Sequence, residues 1–280
     1  MGVFASRQLA RRLSHQMTHR APIPSRHRLC LFLRFISHGT LFSHISGEFA
    51  IGISTACNIS QVAGAIIDEL HDTAFPTPTV STWARATEEF RLRWDYPAAI
   101  GVLDGKHVAC VCPSHSGSRF YNYKGYYSIV LLALVDANYR CILYDLGASG
   151  KNSDAGIFLS SPMKTFLEER DKEFPVQLGT LGRDFDLRQD LCGPTRPMTD
   201  RKNSYFNFKL SRARRVVENY FGMLASRFRV LLRPIYATPD NVKAITLSIM
   251  VVGVAGNIAS DAKVVRETMK TYFCVRDNVR

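Results

Sequence analysis

The sequence predicts an α/β (α+β) protein in which a small helical head precedes a core whose strands come first and whose helices follow. Three observations carry this. Apolar residues recur at helical spacing between positions 29 and 93, short apolar runs bounded by turn residues fill 99–146, and helical spacing returns after 155. At 280 residues, 46% hydrophobic and 21% charged, the chain is globular rather than disordered, and fits one large domain or two modest ones. By segment, 1–28 reads as a basic arm, 29–96 as a helix-turn-helix-like region, 97–260 as the α/β core and 261–280 as a tail.

The elements follow in order. The arm has no sustained periodicity and ends in Pro22 and Pro24. Leu29, Phe32, Leu33 and Ile36 share one helical face, which Gly39 closes as a C-cap. A short second helix turns Leu41, Phe42, Ile45 and Phe49 inward, and Gly52 breaks it. Ser54 is a plausible N-cap for a third helix with Ile59, Val62, Ala63, Ile66, Ile67 and Leu70 inward. Helix, glycine-bearing turn, helix is the shape of a helix-turn-helix, whose outward Thr55, Asn58 and Gln61 could meet base edges; most helical hairpins have no such role. A Pro/Thr-rich stretch at 75–79 leads to a helix over 82–93.

The apolar run 99–103 reads as a strand ending at Asp104, with further strands over 108–112, 127–135 and 139–146, and a two-residue Ala137-Asn138 turn between the last pair. A helix is expected over 155–169, a loop through Pro194, and a long helix over 211–231. The charge-free stretch 244–260 reads as a buried core helix, and no segment reads as a membrane span.

Charge is uneven. The net charge is +12, no acid precedes Glu48, and seven arginines do. A second basic block, 201–233, holds nine Lys/Arg and one acid, Glu218. Such concentration suits a polyanionic partner, most simply nucleic acid, and equally suits solvated faces kept basic for solubility. The acid-free start also has the composition of a mitochondrial transit peptide. Seven cysteines, an odd number at irregular spacing, argue against a secreted disulfide scaffold, and the C-x-C pair Cys110 and Cys112 lacks the partners of a zinc site.

In so basic a chain the acids are informative. Asp104, followed by Gly105, Lys106 and His107, is either a turn residue or a carboxylate at a strand end. Asp136 initiates an Asp-Ala-Asn turn, and Asp154 stands where a helix begins, as an N-cap or a functional acid. Glu218 edges the apolar stripe of the long helix among Arg212, Arg214 and Arg215. It is either an exposed partner of Arg214 or Arg215, a pairing worth about 0.3–0.5 kcal/mol, or a carboxylate aimed at a metal beside phosphate-gripping arginines.

The run GVLDGKHVACVCPSHSGSRFYNYKGYYSIVLLALVDANYRCILYDLGASGKNSDAGIF resembles the DDE nuclease domain of PIF/Harbinger-type DNA transposases and their domesticated relatives. FNFKLSRARRVVENYFGMLASRFRVLLRPI matches that family's last acidic motif, and LRFISHGTLFSHISGEFAIGISTACNI resembles its N-terminal helix-turn-helix region. The resemblance runs over about residues 25–258.

It implies an RNase H-like core, a mixed sheet flanked by helices, that cuts or transfers DNA strands with Mg²⁺ or Mn²⁺. Asp104 matches the first acid of the family, Glu218 the last, and Asp154 an acid also assigned to metal binding. The middle acid precedes a Phe-x-Leu that is here Phe185 and Leu187, which puts Gly182 at its position and Asp184 two residues on. The implied catalytic set is Asp104, Asp184 and Glu218, with Asp154 as a further metal ligand. Lys124, Arg212, Arg214 and Arg215 would contact phosphate. The resemblance also implies DNA and a Myb-like protein as partners, no membrane, and the nucleus as location, with cytoplasm when unpartnered. A decayed copy that binds DNA or the Myb-like partner without cutting is the alternative.

Overall fold

The computed structural model describes residues 23–58, 60–97, 99–175 and 201–255, with side chains from 208 in the last segment. They contain helices α1 (Ser25–His38), α2 (Phe42–Phe49), α3 (Ile53–Cys57), α4 (Ser60–Ala74) and α5 (Val80–Trp94), then strands β1 (Val102–Ala109), β2 (Ser128–Val135) and β3 (Cys141–Ser149). Helices α6 (Asp154–Ser160), α7 (Pro162–Glu169), α8 (Arg201–Arg227) and α9 (Pro239–Ala255) follow, with 3₁₀ turns at Asp171–Glu173 and Arg229–Leu232. By contacts the chain divides into two compact units, one of residues 1–76 with 224–280 and one of 77–223. This division runs differently from the sequence segments: α5 goes with the sheet, and α9 with the helical head.

In the first unit α9 packs along α4. Val62, Ala63 and Ile66 are buried on one helix, and Val242, Ile245, Ile249, Met250 and Val251 on the other. The expected core helix is therefore present over the described part of 244–260. Its buried hydroxyls turn back on their own helix, Thr246 donating to the Val242 carbonyl at 2.7 Å and Ser248 to that of Ile245 at 2.8 Å, so neither is left unsatisfied. Gly39 ends α1 as expected, at φ 64° with its N–H on the Phe35 carbonyl. A Cβ there would lie 2.8 Å from the Arg229 carbonyl oxygen, so a side chain is excluded twice over.

The third helix expected from Ser54 onward is two helices. Gly52, not Ser54, caps α3, and the chain breaks at Asn58, a residue whose side chain competes with helical bonding, before α4 begins. No single helix among the described residues is long and apolar enough to cross a membrane.

In the second unit β1, β2 and β3 form an antiparallel sheet in that order. The fold class is thus the expected one, a sheet flanked by helices, while the described strands are antiparallel throughout and include no parallel pair of the expected mixed sheet. β2 is buried at every position, its apolar run covered on both faces. Leu103, Val130, Leu132 and Leu134 pack on one face with Trp83 of α5, Ile157 and Phe158 of α6 and Met163 and Leu167 of α7. Each such fully buried side chain contributes about 1.5–3 kcal/mol relative to exposure. On the other face Asp104 pairs in register with Ala133, and Lys106 with Leu131. Here α8 lies across the sheet: Arg214 reaches Asp104, Phe221 sits under the Lys106 ammonium and Tyr220 meets Cys141.

Two strands expected on either side of Asp104-Gly105 are one. β1 runs straight through the dipeptide, because pairing of all eight residues with β2 outweighs its local turn preference. The turn after β2 begins at Asp136 as read, its carboxylate accepting from the Asn138 and Arg140 N–H groups at 2.8 and 2.9 Å. It is longer than the two residues expected: the Asp136 N–H donates to the Arg140 carbonyl, Tyr139 takes φ 61° and β3 begins at Cys141. The helix expected over 155–169 is divided where Ser161 caps α7 and Pro162 takes its first position. The long helix begins earlier than expected, at Arg201, and gives way after Arg227 to the 3₁₀ turn.

Candidate functional site

Strand β1 alternates its side chains between the two faces, with Asp104 and Lys106 on the α8 side and Gly105 and His107 on the other. Asp104 stands third in the strand, not at its end. The Gly105 N–H donates to its carboxylate, and Arg214 Nη2 lies 3.4 Å from Oδ1. Burial nonetheless pushes the Asp104 carboxyl above its ordinary value, against the pull of Arg214 and with further upward pressure from the negative charges of Asp154 and Glu218.

Those last causes place Asp154 and Glu218, from two further elements, within electrostatic reach of Asp104. Asp154 is not the N-cap of α6. Ser153 takes that position, its hydroxyl accepting from the Gly156 N–H at 3.2 Å, which releases the Asp154 carboxylate to turn toward β1. It lies over Gly105 so closely that a Cβ there would stand 2.1 Å from Oδ1. Glu218 is exposed on α8 and forms no ion pair among the described residues, so its pairing with Arg214 or Arg215 is not made. Arg214 and Glu218, four residues apart, share a helix face, so the turn that brings Arg214 to Asp104 aims Glu218 the same way.

Arg214 itself is held at one end only. Its Nη2 reaches Asp104, but its Nε is buried with no hydrogen-bond partner among the described residues. An orphaned buried donor of this kind is costly unless an acceptor arrives, and a phosphate oxygen would serve.

The donors at this site are carboxylate oxygens, the hard ligands that Mg²⁺ or Mn²⁺ prefer. A cation beside Asp104 would offset the burial that raises its carboxyl, and Asp154, over Gly105 on the other face of β1, adds to the same upward push, so the donor chemistry suits such an ion. Among the described residues no three His, Cys, Asp or Glu side chains are close enough to enclose a metal. Asp184, and Gly182 at the family's middle-acid position, lie outside the described residues.

The other expected contacts are dispersed. Lys124 is exposed in the loop before β2, Arg215 is exposed on α8 and Arg212 is half-buried there. Thr55, Asn58 and Gln61 are exposed in the first unit, where Gln61 Oε1 accepts from Arg28 at 2.9 Å. Lys106 and His107 were not singled out from the sequence. Burial lowers both from their ordinary values, Lys124 lowers both further, and Asp154 draws His107 back upward. Period-two alternation along D-G-K-H was the signal that could have found His107 beside Asp154, had the dipeptide not been read as a turn.

The family described as DDE superfamily endonuclease matches residues 103–252, a span that begins beside Asp104 and includes Asp154 and Glu218. A cattle (Bos taurus) protein named "Putative nuclease HARBI1" is 29% identical over 200 residues, covering 67% of this chain and 56% of its own length. The human (Homo sapiens) protein of the same name is 28% identical over the same extent. The chain therefore spans little more than half the length of these curated relatives. No solved structure matches it. Residues 103–252 being over half the chain, and its motifs standing in the order the sequence resemblance required, the protein belongs to the DDE superfamily endonucleases, of the Harbinger transposase-derived kind.

Proposed function

We propose that this chain is a metal-dependent DNA endonuclease, transposase-like in its chemistry. The observation that carries the proposal is a buried Asp104 that feels the charges of Asp154 and Glu218, beside an arginine whose buried Nε has no hydrogen-bond partner among the described residues. Asp104 and Asp154 would hold Mg²⁺ or Mn²⁺, with Glu218 closing the site from α8 and Asp184 as the candidate middle acid. The chemistry such a cation supplies is Lewis acidity toward the phosphodiester and the attacking water. Arg214 Nε donates to a phosphate oxygen and draws the guanidinium away from Asp104. Lys124, Arg212 and Arg215 add phosphate contacts that position the strand without reading it. Thr55, Asn58 and Gln61 are the candidates for base contacts in the first unit. A Myb-like partner and a nuclear location accompany this reading.

A plasmid-nicking assay with Mg²⁺, Mn²⁺ or EDTA tests it. Nicking is expected with either cation, absent with EDTA, and lost in both Asp104→Ala and Glu218→Ala; wild-type cutting by either variant would end the proposal. Gly182 at the middle-acid position favours a second reading, a non-cutting DNA binder. Salt-sensitive DNA binding with no nicking in any cation is its signature, and cleavage gained on Gly182→Asp would mark a lost site.

A further inference from the structure

The loop between β1 and β2 carries a feature that phosphate chemistry does not use. Tyr123 is 83% exposed, more than any other large apolar side chain among the described residues. Exposed aromatic rings commonly sit at the ends of loose loops, but this loop is built to hold its tip. Asn122, just before it, is buried, and its side-chain oxygen accepts the Lys124 N–H at 2.9 Å and the Tyr126 N–H at 3.3 Å. The Asn122 amide donates to Ser128 Oγ at 2.8 Å, tying the loop to the first residue of β2. Gly125 completes the turn at φ 85°, which a side chain would oppose.

The ring is also oriented. His107 meets it edge to face, with centroids 5.6 Å apart, and His107 is itself pinned by Ser128 Oγ at 2.9 Å from Nδ1. The Lys124 ammonium stands 5.4 Å from the Tyr123 centroid. His107 is three residues beyond Asp104 on one strand, about 10 Å at a strand's rise per residue, and its side chain shares the face on which Asp154 lies over Gly105. Along one strand of stacked DNA that is about three nucleotide steps.

We propose that Tyr123 is a stacking platform for an unpaired nucleobase close to the scissile phosphate, with Lys124 gripping the phosphate of that nucleotide. It follows that the preferred substrate of the site is DNA whose bases are splayed or single-stranded near the cut, not an uninterrupted duplex. A paired base offers only its edges, whereas an unpaired one presents the face a tyrosine ring can cover, a contact worth about 1–3 kcal/mol.

The inference rests on the endonuclease reading but is tested apart from it, by binding in EDTA. The full chain is titrated into a single-stranded oligodeoxynucleotide carrying 2-aminopurine, and into the same sequence as a duplex. The wild-type chain is expected to quench the single-strand fluorescence on binding. Tyr123→Ala should remove the quench and weaken single-strand affinity by roughly 5- to 150-fold, the range a lost stack implies. Tyr123→Phe should keep both. Circular dichroism confirms that each variant is folded. No quench by the wild-type chain, an unchanged Tyr123→Ala, or a Tyr123→Phe as weak as alanine would each overturn the platform. Failure of metal-dependent nicking leaves these outcomes readable, and failure of stacking leaves duplex nicking to be scored on its own.

Discussion

Replacing Gly105 by alanine would move a carboxylate rather than the backbone. The atom in the way of the new methyl group is the tip of the Asp154 side chain, which can swing aside, so β1 keeps its pairing while the acid leaves its place. A misplacement of about 1 Å at a reacting centre can cost about 100-fold in rate. Gly105→Ala is accordingly expected to cut nicking by about that factor while melting close to wild type, which parallel rate and melting measurements would show. Asp104 makes the complementary case. Its folded value is raised, so the native state binds more protons than the unfolded one, and its ionisation works against folding as pH rises from its ordinary 3.8 through the raised value. Asp104→Asn should therefore melt higher than wild type at neutral pH, and the gain should vanish as pH falls below 3.8. Melting curves from acid to neutral pH check this; equal melting at neutral pH would contradict it. The helix face shared by Arg214 and Glu218 was legible from their spacing. That Arg214 spends its charge on Asp104 was not, because the contact joins residues 110 apart in sequence.

At the scale of elements, local signals were right where local physics decides. Gly39 and the 80–94 helix fell where caps and periodicity put them, and the β2–β3 turn formed around Asp136. They misled where tertiary pairing overrides them. Asp104-Gly105 is a turn dipeptide threaded through a strand, and Asp154 looks like a cap only until Ser153 is seen to cap instead. The Asp136 turn itself can be tested. Burial raises its carboxyl despite two backbone N–H donors, so the acceptor stabilises the turn while the charge opposes burial. Asp136→Asn keeps an acceptor and loses the charge, and should be neutral or stabilising at pH 7. Asp136→Ala strands both N–H groups and should cost about 1–3 kcal/mol. Urea unfolding separates the two, and equal loss in both would contradict the assignment.

Over the whole molecule the net charge of +12 would, on the proposed reading, draw the chain to DNA. Each phosphate contact contributes about 0.9 to the slope of log affinity against log salt. Removing Arg212 and Arg215 together should flatten that slope by about 2, measured by anisotropy with an arbitrary duplex, and an unchanged slope would exclude both from the phosphate path. The fully buried β2 has a consequence of another kind, in the order of synthesis. Its partner strands flank it closely in the chain, but the α8 residues that cover its second face, Ala213 to Phe221, are made roughly eighty residues later. At about 5–20 residues per second that face waits about 4–16 s beside the ribosome as bare aliphatic surface. A nascent chain in that interval is a client for chaperones. A message cut short before α8 would yield an insoluble chain rather than a merely weakened one.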